Sequence, residues 1–417
     1  MNVDMNVSDY TYSGTSEVTY TNHSPDTLNR VFFHLYYNAF RPGSDMDHRL
    51  QSISDPDRRM VEEDGTSRIA TLKEDEMGML RLTSANQNDV ALSMSHEETI
   101  VVVDLAKPLL PHSTTMLNLS FEGQVPLQIR RSGRNSAEGV ALSMSQWYPK
   151  MVEYDHEGWH DYPYIAREFH GVWGDFDVTL TLDKNYTVAA TGHLQNPEEI
   201  GHGYSNADPR IKKRQKTLSW HFKAENVHDF MWAADPDFKQ TTIKVPGGPL
   251  LRFFYQGEAI DENASEERNK ELSGYWELLP WYTSLAFEYM SENYGNYPYE
   301  EYSVIQGGDG GMEYTMGTLI TGNRSLRSLV GVTVHELVHA WYEGAIGNNE
   351  VYDQWIDEGF TVYASAFIMN HLFNDGEGDP MSSRYGSYRR IVEAGLEEPM
   401  HIHSDHYETN TAYGVAS

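Results

Sequence analysis

The most informative stretch of the sequence is Val334-His335-Glu336-Leu337-Val338-His339-Ala340-Trp341. His335 and His339 are four residues apart, so on a helix both imidazoles lie on one face and can reach the same metal ion. Glu336 follows the first histidine and can act on a water molecule held by that ion. The same pattern also occurs in helices whose two histidines bind nothing. The rest of the chain has to distinguish these two interpretations.

A candidate third ligand follows in Trp355-Ile356-Asp357-Glu358-Gly359-Phe360, where eighteen residues separate His339 from Glu358. A carboxylate from a neighbouring antiparallel helix completes a three-ligand site and leaves a fourth position open, as a catalytic zinc site requires. The alternative is an acidic residue that only stabilises the start of a helix. Together with the histidine pair, the spacing predicts one zinc ion bound by His335, His339 and Glu358.

A glycine-rich segment, Gly307-Gly308-Asp309-Gly310-Gly311-Met312-Glu313-Tyr314, precedes the histidine pair. Clustered glycines allow a peptide to approach the backbone and pair with it as an added strand. Glu313 then places an anion where a free α-ammonium group can bind. Alone, such a segment is more typical of a turn. Close upstream of a three-ligand metal site, it favours a peptide-binding function.

Composition narrows the function classes. The 417 residues, 39% of them hydrophobic, suffice for more than one domain and exclude a wholly disordered chain. The net charge of −31 argues against nucleic-acid partners, and no apolar run is long enough to insert into a membrane. Cysteine is absent, which excludes thiolate metal sites and cysteine nucleophiles. Four further histidines, His156 with His160 and His401 with His403, could bind adventitious metal, but they are expected to be solvated loop residues.

The patterning predicts a multidomain α+β protein. Residues 1–238 alternate as β-strands, for example over Phe176–Leu182, and are expected to form an all-β domain. Residues 239–417 are expected to form the catalytic domain, in which a short strand over Tyr302–Gln306 leads into the glycines. Helical periodicity predicts helices over about 264–294, 326–343 and 355–373.

His335-Glu336-x-x-His339 followed by Glu358 resembles the gluzincin metallopeptidases. Gly310-Gly311-Met312-Glu313-Tyr314 is similar to the Gly-x-Met-Glu-Asn signature of the aminopeptidase N and leukotriene hydrolase family, with Tyr314 in place of the usual Asn. The stretch from Asn348-Asn349-Glu350 to Phe360 resembles a bacterial subgroup. The resemblance implies a saddle-like β domain followed by a thermolysin-like zinc-peptidase domain. The family's helical C-terminal domain has no counterpart in this sequence.

The resemblance also implies roles for individual residues. Glu336 would be the general base, and Glu313 would hold the free amino terminus of a peptide. Gly310 and Gly311 would line the strand-like peptide path, and Gln146 would reach the amine from the β domain. The implied activity is a zinc-dependent aminopeptidase whose partners are peptides with a free amino terminus.

A tyrosine that stabilises the oxyanion is less easily assigned. The family places it about 80 residues after the second histidine, which lies just past Ser417, whereas Tyr413 comes 74 residues after His339. Either Tyr413 takes the role, or the residue lies beyond Ser417. In the second case the chain is expected to bind zinc with weak or no peptidase activity.

Two other functions stay open at this stage. One is an endopeptidase of the thermolysin type, and the other is a non-catalytic protein-interaction module on the same fold. The motifs also leave an epoxide hydrolase side activity open. The start of the chain, Met1-Asn2-Val3-Asp4, does not show the pattern of a signal peptide, and an exported bacterial protein whose signal has been removed is compatible with the sequence.

Overall fold

A computed structural model describes residues 1–205, 215–258, 260–374 and 376–416. Within these ranges it shows a multidomain α+β architecture, as the sequence predicts. None of the helices in the described ranges has the length and apolar character needed to cross a membrane.

The N-terminal part consists mainly of β-strands. Its elements are β1 (Asn2–Asn6), β2 (Thr11–Thr21), β3 (Leu28–His34), α1 (Asp45–Ser52), β4 (Met79–Gln87), β5 (Val90–Ala91), β6 (Ser93–Glu97), β7 (Ile100–Leu109), β8 (Thr114–Gln124), β9 (Gly133–Arg134), β10 (Leu142–Met144), β11 (Lys150–Met151), β12 (Tyr154–Asp155), β13 (Gly158–Trp159), β14 (Gly174–Asp183), β15 (Thr187–Ala190), β16 (His193–Leu194), α2 (Pro197–Ile200), β17 (Thr217–Val227) and β18 (Trp232–Asp235).

These strands form an eight-stranded sheet in the order β16-β17-β14-β1-β2-β8-β4-β5, two four-stranded sheets and the short hairpin β12–β13. Alternation decides which side of each strand faces the core. In β14, for example, Val178, Leu180 and Leu182 are buried while the residues between them are more exposed. The core behind the sheets includes the fully buried indoles of Trp147, Trp220 and Trp232.

The C-terminal part combines a sheet with helices. Its elements are β19 (Lys239–Lys244), β20 (Leu250–Tyr255), α3 (Glu266–Tyr294), β21 (Glu301–Gln306), β22 (Gly311–Tyr314), β23 (Gly317–Ile320), α4 (Leu326–Trp341), α5 (Gln354–Asn374), α6 (Ser382–Ala394) and α7 (Asn410–Ala416). The sheet has the order β19-β20-β21-β23-β22, so that β22 forms one edge. Helices α3, α4 and α5 pack against one another over a core that contains Trp276 and Leu337.

The three predicted helices agree with the structure to within a few residues, although the middle one ends at Trp341 and passes into a π-helical turn at Tyr342–Ile346. A third core contains residues from both parts of the chain, such as Met231, Phe254 and Met312. The division at residue 238 therefore stays a prediction, because packing is continuous across it.

The expectation that four histidines lie in solvated loops is wrong for two of them. His156 and His401 are exposed, with 87% and 75% of their side chains accessible. His160 and His403 are buried, at 5% and 6% exposure. His403 lies against the rings of two tyrosines from different loops, contacts that no local sequence pattern predicts.

Candidate metal centre

Helices α4 and α5 bring the three predicted ligands together. Nε2 of His335 lies 3.3 Å from Nε2 of His339 and 3.2 Å from Oε2 of Glu358. Nε2 of His339 lies 3.8 Å from the same carboxylate oxygen. Tetrahedral zinc with bonds of about 2.0–2.1 Å requires its ligand atoms to be roughly 3.3 Å apart. The three side chains therefore fit one zinc ion.

An aspartate orients one of these histidines. Oδ1 of Asp357 accepts a hydrogen bond of 2.8 Å from Nδ1 of His339, and both side chains are almost fully buried. A carboxylate at Nδ1 fixes the imidazole tautomer, so that the lone pair of Nε2 is available to a metal. The sequence analysis did not assign Asp357. Its position next to Glu358 was the only available signal.

Glu336 lies at the same centre. Its side chain is 4% exposed, and its Oε2 has no hydrogen-bond partner among the described residues. Burial raises the pKa of Glu336, against the lowering effect of His335, and Glu313 raises it further. Burial also disfavours ionisation of Glu358, yet the hydrogen bond to His335 and its charge lower the pKa of that carboxyl. The pKa values of these two glutamates are thus shifted in opposite directions. A raised pKa suits a group that carries a proton, as Glu336 would, and a lowered pKa suits a ligand that stays ionised, as Glu358 would.

The glycine-rich strand packs directly against Glu336. A Cβ atom at Gly311 would overlap Oε1 of Glu336 and would lie 2.8 Å from Cγ2 of Val332 on the same helix. Because β22 is an edge strand, its backbone is available to an added peptide strand beside the metal centre. Gly310 lies at the start of this edge, where a Cβ would approach only the flexible end of Arg59.

Glu313 belongs to a cluster of three buried carboxylates. One oxygen each from Glu168, Glu313 and Glu350 lies within 4.8 Å of the others, and all three side chains are buried. Burial, with Asp357 adding to it, raises the pKa of Glu350 well above its ordinary value. An ammonium group of a ligand would compensate the concentrated negative charge. Sequence reasoning assigned no role to Glu168, which belongs to no recognisable motif, or to Glu350, which was noted only as part of Asn348-Asn349-Glu350.

A buried arginine accompanies this cluster. Nη2 of Arg131 lies 3.4 Å from Oε2 of Glu168, while its Nε and Nη1 have no hydrogen-bond partner among the described residues. A cavity of about 290 Å³ is lined by Arg131 and Glu168 from the N-terminal part and by Glu313, Glu336, His335 and Glu358 from the C-terminal part. Both parts of the chain therefore form the walls of the candidate site.

Tyr413 and Gln146 occupy different positions relative to this cavity. Tyr413, on α7, lines the cavity, and its hydroxyl donates a hydrogen bond to Oε1 of Glu168. Gln146 is buried nearby and uses both ends of its amide, donating to Asp229 at 3.1 Å and accepting from the hydroxyl of Tyr314 at 3.2 Å. Its side chain does not belong to the cavity wall described above. The roles expected for both residues stay predictions.

Comparison with known proteins agrees with this geometry. Residues 286–414 match the peptidase family M1 domain model. Leucine aminopeptidase 2 of Lodderomyces elongisporus is 37% identical over 82 residues, which is 18% of this chain and 12% of that protein. Aminopeptidase B of Rattus norvegicus is 36% identical over 69 residues, or 15% of this chain and 10% of that protein. The matched segments thus span only about a tenth of these relatives.

Solved structures extend the similarity to nearly the whole chain. An M1 zinc metallopeptidase from Deinococcus radiodurans superposes with a TM-score of 0.56 at 15% identity, covering 99% of this chain and 78% of that one. A mutant of that metallopeptidase bound to the substrate Tyr-Ser-Ala gives the same TM-score at 16% identity, with the same coverage. At these identities the likeness establishes the fold. The chain therefore has the fold of the M1 zinc metallopeptidases, and its residues 286–414 match the peptidase family M1 domain model.

Proposed function

We propose that this chain is a zinc-dependent aminopeptidase that hydrolyses the first peptide bond of peptides with a free amino terminus. The observation that carries the proposal is the position of three ligand atoms, 3.2 to 3.8 Å apart, beside a buried cluster of three carboxylates. The first feature suits one zinc ion, and the second suits the cation at the start of a peptide. The names of the matched relatives point to the same activity.

His335, His339 and Glu358 would hold the zinc, with Asp357 orienting His339. When bound, zinc supplies Lewis acidity, which polarises a carbonyl group and makes water a stronger acid. Glu336 would take a proton from the attacking water and would pass it to the departing amine. Its buried, unpartnered Oε2 and its raised pKa support both steps, because a base has to hold the proton briefly before releasing it.

Glu313, with Glu168 and Glu350, would bind the α-ammonium group, and the edge of β22 at Gly310 and Gly311 would align the peptide backbone. An internal segment of a longer peptide brings no cation to this cluster, so Glu313 and Glu350 would gain no cationic partner, whereas Glu168 already has Arg131. This charge requirement favours an exopeptidase over the thermolysin-type endopeptidase. A non-catalytic interaction module would have no need of such a cation-binding cluster.

The proposal is tested with the zinc-loaded chain and paired substrates. We expect hydrolysis of aminoacyl-4-nitroanilides, no hydrolysis of their N-acetylated counterparts, and loss of activity with a chelator that zinc reverses. Glu336→Gln is expected to lower kcat by roughly 10²–10⁴-fold at unchanged zinc content. Glu393→Gln, on the surface of α6, serves as the control.

Each of the alternative functions predicts a different result in these experiments. Equal cleavage of acetylated peptides would indicate the endopeptidase. A chain that retains no zinc after gel filtration would support the interaction module. Zinc binding without hydrolysis would place the oxyanion-stabilising group beyond Ser417, as the spacing of Tyr413 allows.

A further inference from the structure

A second group of metal-ligating side chains lies away from the zinc centre, where hairpin β12–β13 leads into segment 160–173. Asp155, His160 and His170 each offer one ligand atom, and these atoms lie within 4.8 Å of one another. All three come from sixteen consecutive residues, 155–170. His160 is buried at 5% exposure, although the sequence analysis expected it in solvent.

His160 and Asp155 approach each other closely without meeting the geometry of a hydrogen bond. Nε2 of His160 lies 2.9 Å from Oδ2 of Asp155, yet it is a buried nitrogen without a hydrogen-bond partner among the described residues. The distance is short enough for a hydrogen bond, so it is the direction of the ring nitrogen of His160 that does not suit one. The zinc centre shows similar close approaches between ligand atoms, at 3.2 and 3.3 Å.

The two imidazoles are also arranged like those of the proposed zinc ligands His335 and His339. The rings of His160 and His170 have centroids 5.0 Å apart and planes at 82°, and those of His335 and His339 are 4.8 Å apart at 85°. An edge-to-face arrangement lets one nitrogen of each ring approach a single ion from different directions. Similar ring geometry therefore occurs at two places in the molecule.

Neighbouring groups hold two of the ligands in position. Oδ1 of Asp155 accepts a hydrogen bond of 2.8 Å from the backbone N–H of Glu157, which leaves Oδ2 for His160. The amide nitrogen Nδ2 of Asn349 lies 3.5 Å from Nδ1 of His160, the ring nitrogen opposite Nε2. A donor at this position does not by itself select the tautomer that leaves Nε2 free for a metal ion, whereas the hydrogen bond to Asp155 is of the kind that orients a metal ligand. A cavity of about 340 Å³, lined by Asp155, His170 and Glu153 among others, gives an ion access from solvent.

We propose that Asp155, His160 and His170 bind a second divalent transition-metal ion of the zinc class. Two imidazoles and one carboxylate suit zinc, whereas calcium and magnesium require mainly oxygen ligands. The cavity leaves room for water as a fourth ligand. This site is independent of the proposed peptidase activity.

The ion would hold segment 160–173, which contains neither helix nor strand. The backbone of this segment makes two hydrogen bonds to the β-strand part of the chain. The N–H of His160 donates to the carbonyl of Glu153 at 3.0 Å, and the N–H of Tyr164 donates to Oγ1 of Thr99 at 2.8 Å. The same segment supplies Arg167 and Glu168 to the wall of the zinc cavity. A metal link from hairpin to segment therefore fixes one wall of the catalytic pocket.

Metal analysis of the purified full chain tests the site. After loading with zinc and gel filtration, we expect two equivalents per chain by inductively coupled plasma mass spectrometry. His170→Gln should retain one equivalent, as should Glu358→Gln, and the double variant should retain none. His156→Gln is the matched control, because that exposed histidine adjoins Asp155 and should leave two equivalents in place.

Limited trypsin digestion provides a readout of the segment itself. Cleavage after Arg167 should be slow in the zinc-loaded wild type and in Glu358→Gln, and at least several-fold faster in His170→Gln or after chelation. Circular dichroism confirms that each variant is folded, and Asp155→Asn replaces His170→Gln if the latter is not.

The possible outcomes separate this proposal from the proposed function. A wild type with one equivalent that His170→Gln does not reduce would overturn the second site. One equivalent that is lost in His170→Gln but kept in Glu358→Gln would support the second site and contradict the zinc peptidase.

Discussion

Two adjacent residues of α5 have different tasks at the metal centre. Glu358 approaches the histidine nitrogens, whereas Asp357 turns to the far side of His339 and bonds to Nδ1 at 2.8 Å. Neighbouring residues on a helix point about 100° apart, so one can be a ligand while the other orients a ligand. The sequence shows that both residues are acidic, but it does not show which one approaches the histidine nitrogens and which one orients His339.

We expect Asp357→Asn to weaken zinc affinity by about 10–100-fold, because the uncharged amide holds His339 less firmly in the required tautomer. Competition with a chromogenic chelator measures the change. Asp353→Asn is the control, since Asp353 pairs at 2.9 Å with His401, an exposed histidine away from the zinc centre. An unchanged zinc affinity in Asp357→Asn would contradict the role of Asp357.

Tyr413 allows a second prediction at this scale. If its hydroxyl stabilises the oxyanion, Tyr413→Phe lowers kcat by about 10²-fold with little change in KM. Steady-state kinetics on an aminoacyl-4-nitroanilide measures both constants, with Tyr385→Phe on exposed α6 as the control. A rise in KM at constant kcat would instead show that the hydroxyl serves Glu168, to which it is bonded.

At the scale of elements, the approach of β22 to α4 brings the proposed peptide-binding edge and the proposed general base, Glu336, together. Gly311 is the contact point, because any side chain there would overlap Glu336. Expectations for this strand and helix came from separate patterns, one of glycines and one of helical periodicity. Their contact depends on the path of the chain through β23, which intervenes between them.

Gly311→Ala should therefore lower kcat/KM by at least 10-fold, because its methyl group displaces either the carboxylate of Glu336 or the strand. Gly331→Ala on α4 is the matched control: its new Cβ lies 3.4 Å from the flexible end of Met369, and alanine favours a helix. Activity and zinc content are measured on both variants. Wild-type activity in Gly311→Ala would show that the strand and Glu336 can separate freely.

At the scale of the whole molecule, a buried ion pair lies in the N-terminal part near its contact with the C-terminal part. Nζ of Lys150 lies 2.9 Å from Oδ2 of Asp229, and only 4% of each side chain is exposed. Asp229 also accepts a hydrogen bond from Gln146, which in turn accepts one from Tyr314. The pair is therefore connected to the residue that follows Glu313.

Lys150→Met should lower the free energy of unfolding by about 3–5 kcal/mol at pH 7, because it leaves the carboxylate of Asp229 buried without its cation. Lys223→Met is the control, since Lys223 pairs with Asp177 at 3.1 Å on the surface and should cost less than about 1 kcal/mol. Urea unfolding followed by circular dichroism measures both variants.

The same variant has a pH dependence of definite sign. Burial alone would raise the pKa of Asp229, but Lys150 holds it below its ordinary value, so the ionised group contributes stability that is lost as the pH falls through that pKa. Without Lys150, burial raises the pKa and protonation becomes favourable in the folded state. The deficit of Lys150→Met should therefore be largest near pH 7 and shrink toward about pH 4. A deficit independent of pH would contradict this account.

The sequence by itself determined the helices of the catalytic part and the trio of His335, His339 and Glu358. Helical periodicity is a local property of the sequence, and side chains four residues apart lie on the same face of a helix. The short connection between α4 and α5 then returns Glu358 to the two histidines. The α+β class followed from alternation in the first part and helical periods in the second. These features depend on residues close in sequence.

Only the tertiary structure decided which other side chains join the site. Glu168 and Glu350 meet Glu313 from distant positions, Arg131 arrives from the N-terminal part, and His160 becomes buried. No local pattern marks these residues, because their burial and charge partners are set by long-range packing between sheets, loops and helices. Sequence thus specifies the three proposed metal ligands, while tertiary packing supplies the charges that would select the substrate.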